Sequence, residues 1–193
     1  MSNIEVKNLC KSFDEKQVLN NFSAVFQEGK ITCVMAPSGY GKTTLLRIIA
    51  GLEKQDSGEI INDKKISFVF QEDRLSENFN MFSNVRFVTG KEVSDEKIMQ
   101  TFKSLDLNEG YDKPVKLLSG GMKRRVALAR GLLADYDLLI MDEPFKGLDE
   151  NLKYSVMDYL KEATKNKTVI CVTHDLSEVE YFADKIIKIQ EKS

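Results

Sequence analysis

Residues 35–44 read MAPSGYGKTT, a stretch whose residue types and spacing suit phosphate chemistry. Two closely spaced glycines precede Lys42-Thr43, so the backbone N–H groups from Gly39 to Thr43 can turn inward around an anion. Lys42 is placed to reach the β- and γ-phosphates of a nucleotide, and the Thr43 hydroxyl to bind Mg²⁺. Ala36 stands where the usual G-x-x-x-x-G-K-[ST] pattern has its first glycine. That residue follows a strand and need not line the nest, whereas Gly39 and Gly41, where backbone must approach phosphate, are present. Tyr40 fills a variable position, and its side chain is expected to point away from the phosphates. A chance match to such a loop occurs at about 1 in 100 for ordinary composition. The candidate nucleotide-binding residues here are Ala36, Pro37, Ser38, Gly39, Tyr40, Gly41, Lys42, Thr43 and Thr44.

The elements around the loop support it. ITCVM (31–35) is a continuous apolar run of the kind that forms a strand buried on both faces. TTLLRIIAGL after the loop has helical spacing at Leu45, Ile48, Ile49 and Leu52. A helix start adds unpaired N–H groups and a positive dipole end to the nest. Further buried strands are expected at ISFVF (66–70), DLLIMD (137–142) and TVICVTH (168–174), with a last strand at KIIKI. Gln71, the pair Asp142-Glu143 and the single histidine, His174, lie at the ends of these runs. IEVKNL and FSAVF alternate apolar and polar residues, which predicts antiparallel strands ahead of the core. QEGK (27–30) and DSG (56–58) read as turns. Residues 72–117 are more polar, with a helical stretch at 95–105, and read as a helical insertion. Long helices are expected from Ser119, with Met122, Val126, Ala129 and Leu133 on one stripe, and over 152–164, with a shorter one at SEVEYFAD. Strands alternating with helices imply an α/β fold with a mainly parallel sheet.

Composition narrows the partners. The 193 residues are 42% hydrophobic and 30% charged, with a formal net charge of −2, which suits one folded domain spanning 1–193. Nothing points to bulk attraction for nucleic acid or an anionic membrane. Lys123-Arg124-Arg125 reads as a solvated helix face. No apolar run approaches the roughly 18 residues of a membrane span, so a membrane role would go through a partner. Cys33 and Cys171 lie in apolar runs and Cys10 is remote from both, which predicts unpaired thiols and suits a reducing cytoplasm.

Several further segments occur in a telling order. FVFQED (68–73), LSGGMKRRVALARGLL (118–133), LLIMDEPFKGLD (138–149) and VTHD (172–175) resemble the Q-loop, signature, Walker B with D-loop, and H-loop of ABC-type ATPases. Together with the Walker A loop they span nearly the whole chain. QEDRL, LSGGMKRR and MDEPF are most similar to ATP-binding subunits of nitrate/sulfonate/taurine-type importers. Met122 departs from the family's LSGGQ pattern, one step past the expected contacts.

The resemblance implies a P-loop NTPase of ABC type, with an N-terminal antiparallel β subdomain and a helical subdomain at about 72–117. It implies ATP with Mg²⁺, bound between two copies of the chain. Ser119, Gly120 and Gly121 of one copy would face the phosphate loop of the other. Asp142, Thr43 and Gln71 would hold Mg²⁺, and Glu143 would polarise the attacking water, with His174, Lys42 and Gln71 completing the catalytic set. Phe13 would stack on adenine, a core role being its alternative. The partner would be a membrane permease docked on the helical subdomain, with a solute-binding protein acting indirectly and no nucleic acid. The chain would then sit in the cytoplasm at the inner face of the membrane, importing a small anion such as nitrate or a sulfonate. No C-terminal regulatory domain is expected. The competing readings are a soluble non-transport ABC ATPase and a subunit that binds ATP without hydrolysing it.

Overall fold

The computed structural model describes residues 2–37 and 39–189. Ser38, one of the candidate loop residues, lies outside them. The first strands, β1 (Ile4–Phe13) and β2 (Lys16–Phe26), pair antiparallel, as their alternating patterns predict. Next come β3 (Ile31–Met35), α1 (Lys42–Ile49), β4 (Ser57–Ile61) and β5 (Ile66–Val69). The insertion contributes α2 (Met81–Thr89), α3 (Asp95–Ser104) and a 3-10 turn at Val115–Leu117. The remainder is α4 (Gly120–Leu133), β6 (Leu138–Asp142), α5 (Glu150–Ala163), β7 (Thr168–Val172), α6 (Leu176–Phe182) and β8 (Lys185–Lys188).

Two sheets result. One is antiparallel, in the order β2-β1-β4, and the other has five strands in the order β5-β6-β7-β3-β8, all parallel. The expected turn at 56–58 is instead the entry to β4, an edge strand of the first sheet. Gly58 makes this possible, since a Cβ there would stand 2.5 Å from the Asn8 carbonyl oxygen.

The apolar runs of β3, β6 and β7 feed two cores at once. Leu138, Ile140, Ile170 and Val172 join α1 and the antiparallel sheet on one face. Leu139, Met141, Val169 and Cys171 join α4 and α5 on the other. A period of two within a fully apolar run produces this split. Met81, Val85, Ile98 and Phe102 of the insertion belong to that second core, where they pack against α4. Phe79 and Phe87 instead stay exposed, edge to face with centroids 5.2 Å apart. The insertion's aromatics therefore divide between core and surface.

Because β5, β6, β7 and β3 are neighbours and parallel, their C-terminal ends lie along one edge. Gln71, Asp142-Glu143, His174 and the phosphate loop all leave the sheet there. This is the edge at which open α/β sheets place their ligands.

Candidate functional site

The loop leaves β3 through Ala36 and Pro37, and its glycines take left-handed backbone at Gly39 (φ 85°) and Gly41 (φ 75°). At Gly41 the requirement is also steric, since a Cβ would lie 2.6 Å from the Val18 carbonyl oxygen. Gly41 heads α1, and no side chain caps the amides of the helix's first turn. Lys42 is buried, and its ammonium donates to the carbonyls of Ala36 and, at 3.1 Å, Pro37. A cation, an uncapped helix start and left-handed glycines thus share one loop, which suits an anion.

In front of the loop lies a cavity of about 350 Å³ lined by Phe13, Val18, Gly39, Gly41, Lys42, Thr43, Thr44, Gln71, Asp142 and Glu143. It joins residues from five separate stretches of sequence. Tyr40 turns to a larger groove, about 590 Å³, shared with β2 and residues 187–189. That groove contains none of Lys42, Thr43, Asp142 or Glu143, so the smaller cavity is the one with chemistry.

The acids differ sharply in setting. Asp142 is 2% exposed and accepts a hydrogen bond from the Thr43 hydroxyl at 2.7 Å on Oδ2, while its Oδ1 is buried with no hydrogen-bond partner. Burial pushes its carboxyl pKa up, with the Thr43 hydrogen bond and the charges of Arg124 and Lys42 opposing. An unsatisfied carboxylate oxygen beside a hydroxyl is oxygen chemistry fitted to a hard cation such as Mg²⁺. Gln71, exposed at the cavity wall, brings an amide to the same place.

Glu143 holds a left-handed backbone (φ 49°), and its N–H donates to the Val172 carbonyl at 2.8 Å. Its two carboxylate oxygens each lie 2.9 Å from His174 Nδ1. An ionised carboxylate only accepts, so this contact puts a proton on Nδ1. His174 is largely exposed, and it meets the cavity through Glu143. Its loop is braced from behind. Lys153 reaches Asp175 at 3.0 Å and Glu178 at 3.3 Å, and Thr173 donates to Glu178. Hydrogen bonds from Ser177 and Lys153 hold the Asp175 carboxyl down at about 2.

Ser119, Gly120 and Gly121 do not line the cavity. Ser119 caps α4 by accepting from the Met122 N–H at 3.2 Å, and Ser119 and Gly120 are exposed. The two anion sites read from the sequence are therefore separate within one chain.

The basic run beside them is a correction. Arg124 and Arg125 are 3% and 8% exposed, not a solvated face. Arg125 donates to the Leu105 and Asp106 carbonyls, and Arg124 to main chain at the ends of β5 and β6. The reason is that strand and helix ends leave carbonyls that only a donor from elsewhere can satisfy. Arg124 is the residue near the site that sequence reasoning missed. Its acceptors lie between 18 and 54 positions away, so no local spacing marks it.

Comparison with known proteins identifies relatives of the chain. The family described as ABC transporter matches residues 19–146. The chain is 36% identical to the sulfate/thiosulfate import ATP-binding protein CysA of Pseudomonas syringae pv. tomato, over 95% of this chain and 63% of that protein. It is 32% identical to the spermidine/putrescine import ATP-binding protein PotA of Mesoplasma florum, over 98% of this chain and 59% of that one. The chain thus spans about three-fifths of the length of these curated relatives. They are importers of sulfate/thiosulfate and of polyamines, so they do not single out the nitrate, sulfonate and taurine type. A solved structure, a dimeric bacterial ABC transporter cassette, superposes with a TM-score of 0.85 at 29% identity, covering 96% of this chain and 94% of the other.

Proposed function

The chain belongs to the ABC transporter family, and on that premise we propose that it is the ATP-binding and ATP-hydrolysing subunit of an importer. In this reading residues 1–193 form one ATPase domain with a helical subdomain at about 72–117. The observation that carries the reading is the single cavity in which Lys42, the Thr43–Asp142 pair and Glu143 meet at one edge of the parallel sheet.

The residues divide the work as follows. Phe13, 44% exposed at the cavity rim, offers its ring to adenine. Base–aromatic stacking contributes about 1–3 kcal/mol. Backbone N–H groups of residues 39–44 and the Lys42 ammonium bind the phosphates. That ammonium donates to the carbonyls of Ala36 and Pro37 at the mouth of the loop, within which a phosphate would offer it charged oxygens. Thr43, Asp142 and Gln71 would hold Mg²⁺. When bound, Mg²⁺ would neutralise phosphate charge and relieve the buried, half-satisfied Asp142 carboxylate. Glu143 takes the proton of the attacking water. His174 orients Glu143 through Nδ1 and leaves Nε2 for the γ-phosphate side. A general base contributes about 10²–10⁴-fold.

The signature residues act on a second copy of the chain. Gly120 supports this assignment. A Cβ there would meet nothing within 4 Å and the backbone is helical, so its own chain supplies no reason for a glycine. A nucleotide seated on another copy supplies one. The dimeric state of the solved cassette also favours it.

No helix among the described residues is long and apolar enough to cross a membrane. In this reading transport goes through a separate permease, met by the insertion surface around Phe79 and Phe87, with a solute-binding protein acting indirectly, and the chain sits in the cytoplasm at the inner face of the membrane. A small anion, such as nitrate or a sulfonate, is the cargo we assign, and the sulfate/thiosulfate relative supports an oxyanion. The test is phosphate release from Mg-ATP. The wild-type chain should turn over at least tenfold faster than Lys42→Ala, and equal rates would remove the hydrolytic reading.

A further inference from the structure

Arg124 stands one helical turn beyond the exposed start of α4, and every donor of its guanidinium is used. Nε donates to the Pro144 carbonyl at 2.9 Å. Nη2 donates to the carbonyls of Asp142 and Glu143, each at 2.9 Å. Nη1 donates to the Phe70 carbonyl at 2.6 Å and to Asp73 Oδ1 at 3.3 Å. A guanidinium has five N–H donors, and these are five bonds. One side chain therefore gathers three successive carbonyls after β6 and the residue that precedes Gln71.

Arg124 touches no cavity-facing side-chain atom of Glu143. It holds the main chain from which Glu143 projects, where the backbone is left-handed (φ 49°). A non-glycine residue in that conformation is strained and persists only where its surroundings fix it. The Glu143 N–H is fixed on Val172, and its carbonyl accepts both the short bond from Arg124, 2.9 Å, and a longer one from the Lys146 N–H, 3.3 Å. Arg130, two turns further along α4, holds the same Q-loop segment through the carbonyls of Asp73 and Arg74, at 3.0 and 2.8 Å.

We propose that Arg124 is a positioning residue that ties the placement of Glu143 and Gln71 to the seating of α4. Movement of the Ser119 end of the helix then reaches the acid of the chain's own cavity through one rigid, five-armed contact. The proposal rests on the ATPase reading above. It also makes a statement about the backbone that does not need that reading.

Lysine in place of arginine keeps the charge but offers three donors from a single point. Arg124→Lys should lower kcat from Mg-ATP by about 30–100-fold, the loss expected when a catalytic group is displaced by about 1 Å. Nucleotide Kd should stay within about threefold, because the phosphate loop is untouched. Guanidinium ion in solution should restore part of the kcat of Arg124→Ala and none of that of Glu143→Gln. In hydrogen exchange on the intact chain, residues 70–74 and 142–146 should lose protection in Arg124→Lys while 42–49 keeps it. Wild-type kcat in Arg124→Lys overturns the proposal, as does a parallel loss of nucleotide affinity. Unchanged exchange at 142–146 overturns it on its own. If the wild-type chain itself shows no turnover, the ATPase reading fails, and exchange alone decides whether Arg124 holds this backbone.

Discussion

Two helices carry a glycine at their start in opposite circumstances, α1 at its cap, Gly41, and α4 at its first residue, Gly120. α1 starts at Gly41, which has no side-chain cap and a backbone that only glycine tolerates against Val18. Around it are a buried lysine, a hydroxyl and two acids. α4 starts at Ser119, which caps its own helix, and Gly120 looks onto open space. The first end is enclosed by its own chain, and its glycine answers an internal constraint. The second is finished as a helix but unfinished as a site. An internal reason for one glycine and the lack of one for the other is the contrast that the proposed composite site explains.

The comparison can be broken from either end, and the largest effect is expected at Glu143. Glu143→Gln should lose turnover by about 10²–10⁴-fold while still binding Mg-ATP. Light scattering should then find an ATP-dependent dimer, since hydrolysis no longer opens it. A variant that stays monomeric at saturating Mg-ATP would mean that α4 waits for something other than another copy. Gly120→Ala sharpens the contrast. It should leave the monomer as stable as before, or more so by up to about 1 kcal/mol from helix propensity. Turnover should nevertheless fall by about tenfold, ~1.4 kcal/mol, with nucleotide binding to the monomer unaltered. Full activity would return Gly120 to indifference. The smallest change belongs to the enclosed end. Phe13→Ala should weaken ATP binding by about tenfold, inside the stacking range, as read by fluorescent-nucleotide titration. Unaltered affinity would leave the ring to its contact with Lys11, whose ammonium sits 4.9 Å from its centroid.

Much of the enclosed end was legible because it is local. The runs at 31–35, 138–142 and 168–172 are short and mainly apolar, and the chemistry follows close behind each: Glu143 and His174 within two residues, Lys42 within seven. What was not legible depends on distant partners. β4 looked like a turn because its pairing with β1 and the close approach at Gly58 are tertiary facts. Arg124 and Arg125 looked solvated because their burial depends on carbonyls delivered by other elements. α2 was missed although its start carried a signal. Asn80 accepts from the Ser83 N–H, and a capping residue ahead of Met81 and Val85 is a readable helix start.

The order of the parallel sheet has a consequence for how the chain is made. Among the described residues β3, which carries the phosphate loop, pairs with β7 and β8, which are synthesised more than 130 residues after it. At about 5–20 residues per second, the nascent loop waits about 8–30 s after translation of Ile31 before Lys185 is added. Until β7 follows, the first thirty-odd residues hold a strand with no neighbours on either side, apolar along its length, and until β8 follows one side of it stays open. Such late, long-range closure is slow and exposes an edge to other chains. The strand that carries the phosphate loop is thus bounded late, and nucleotide competence should appear only when β8 has left the ribosome.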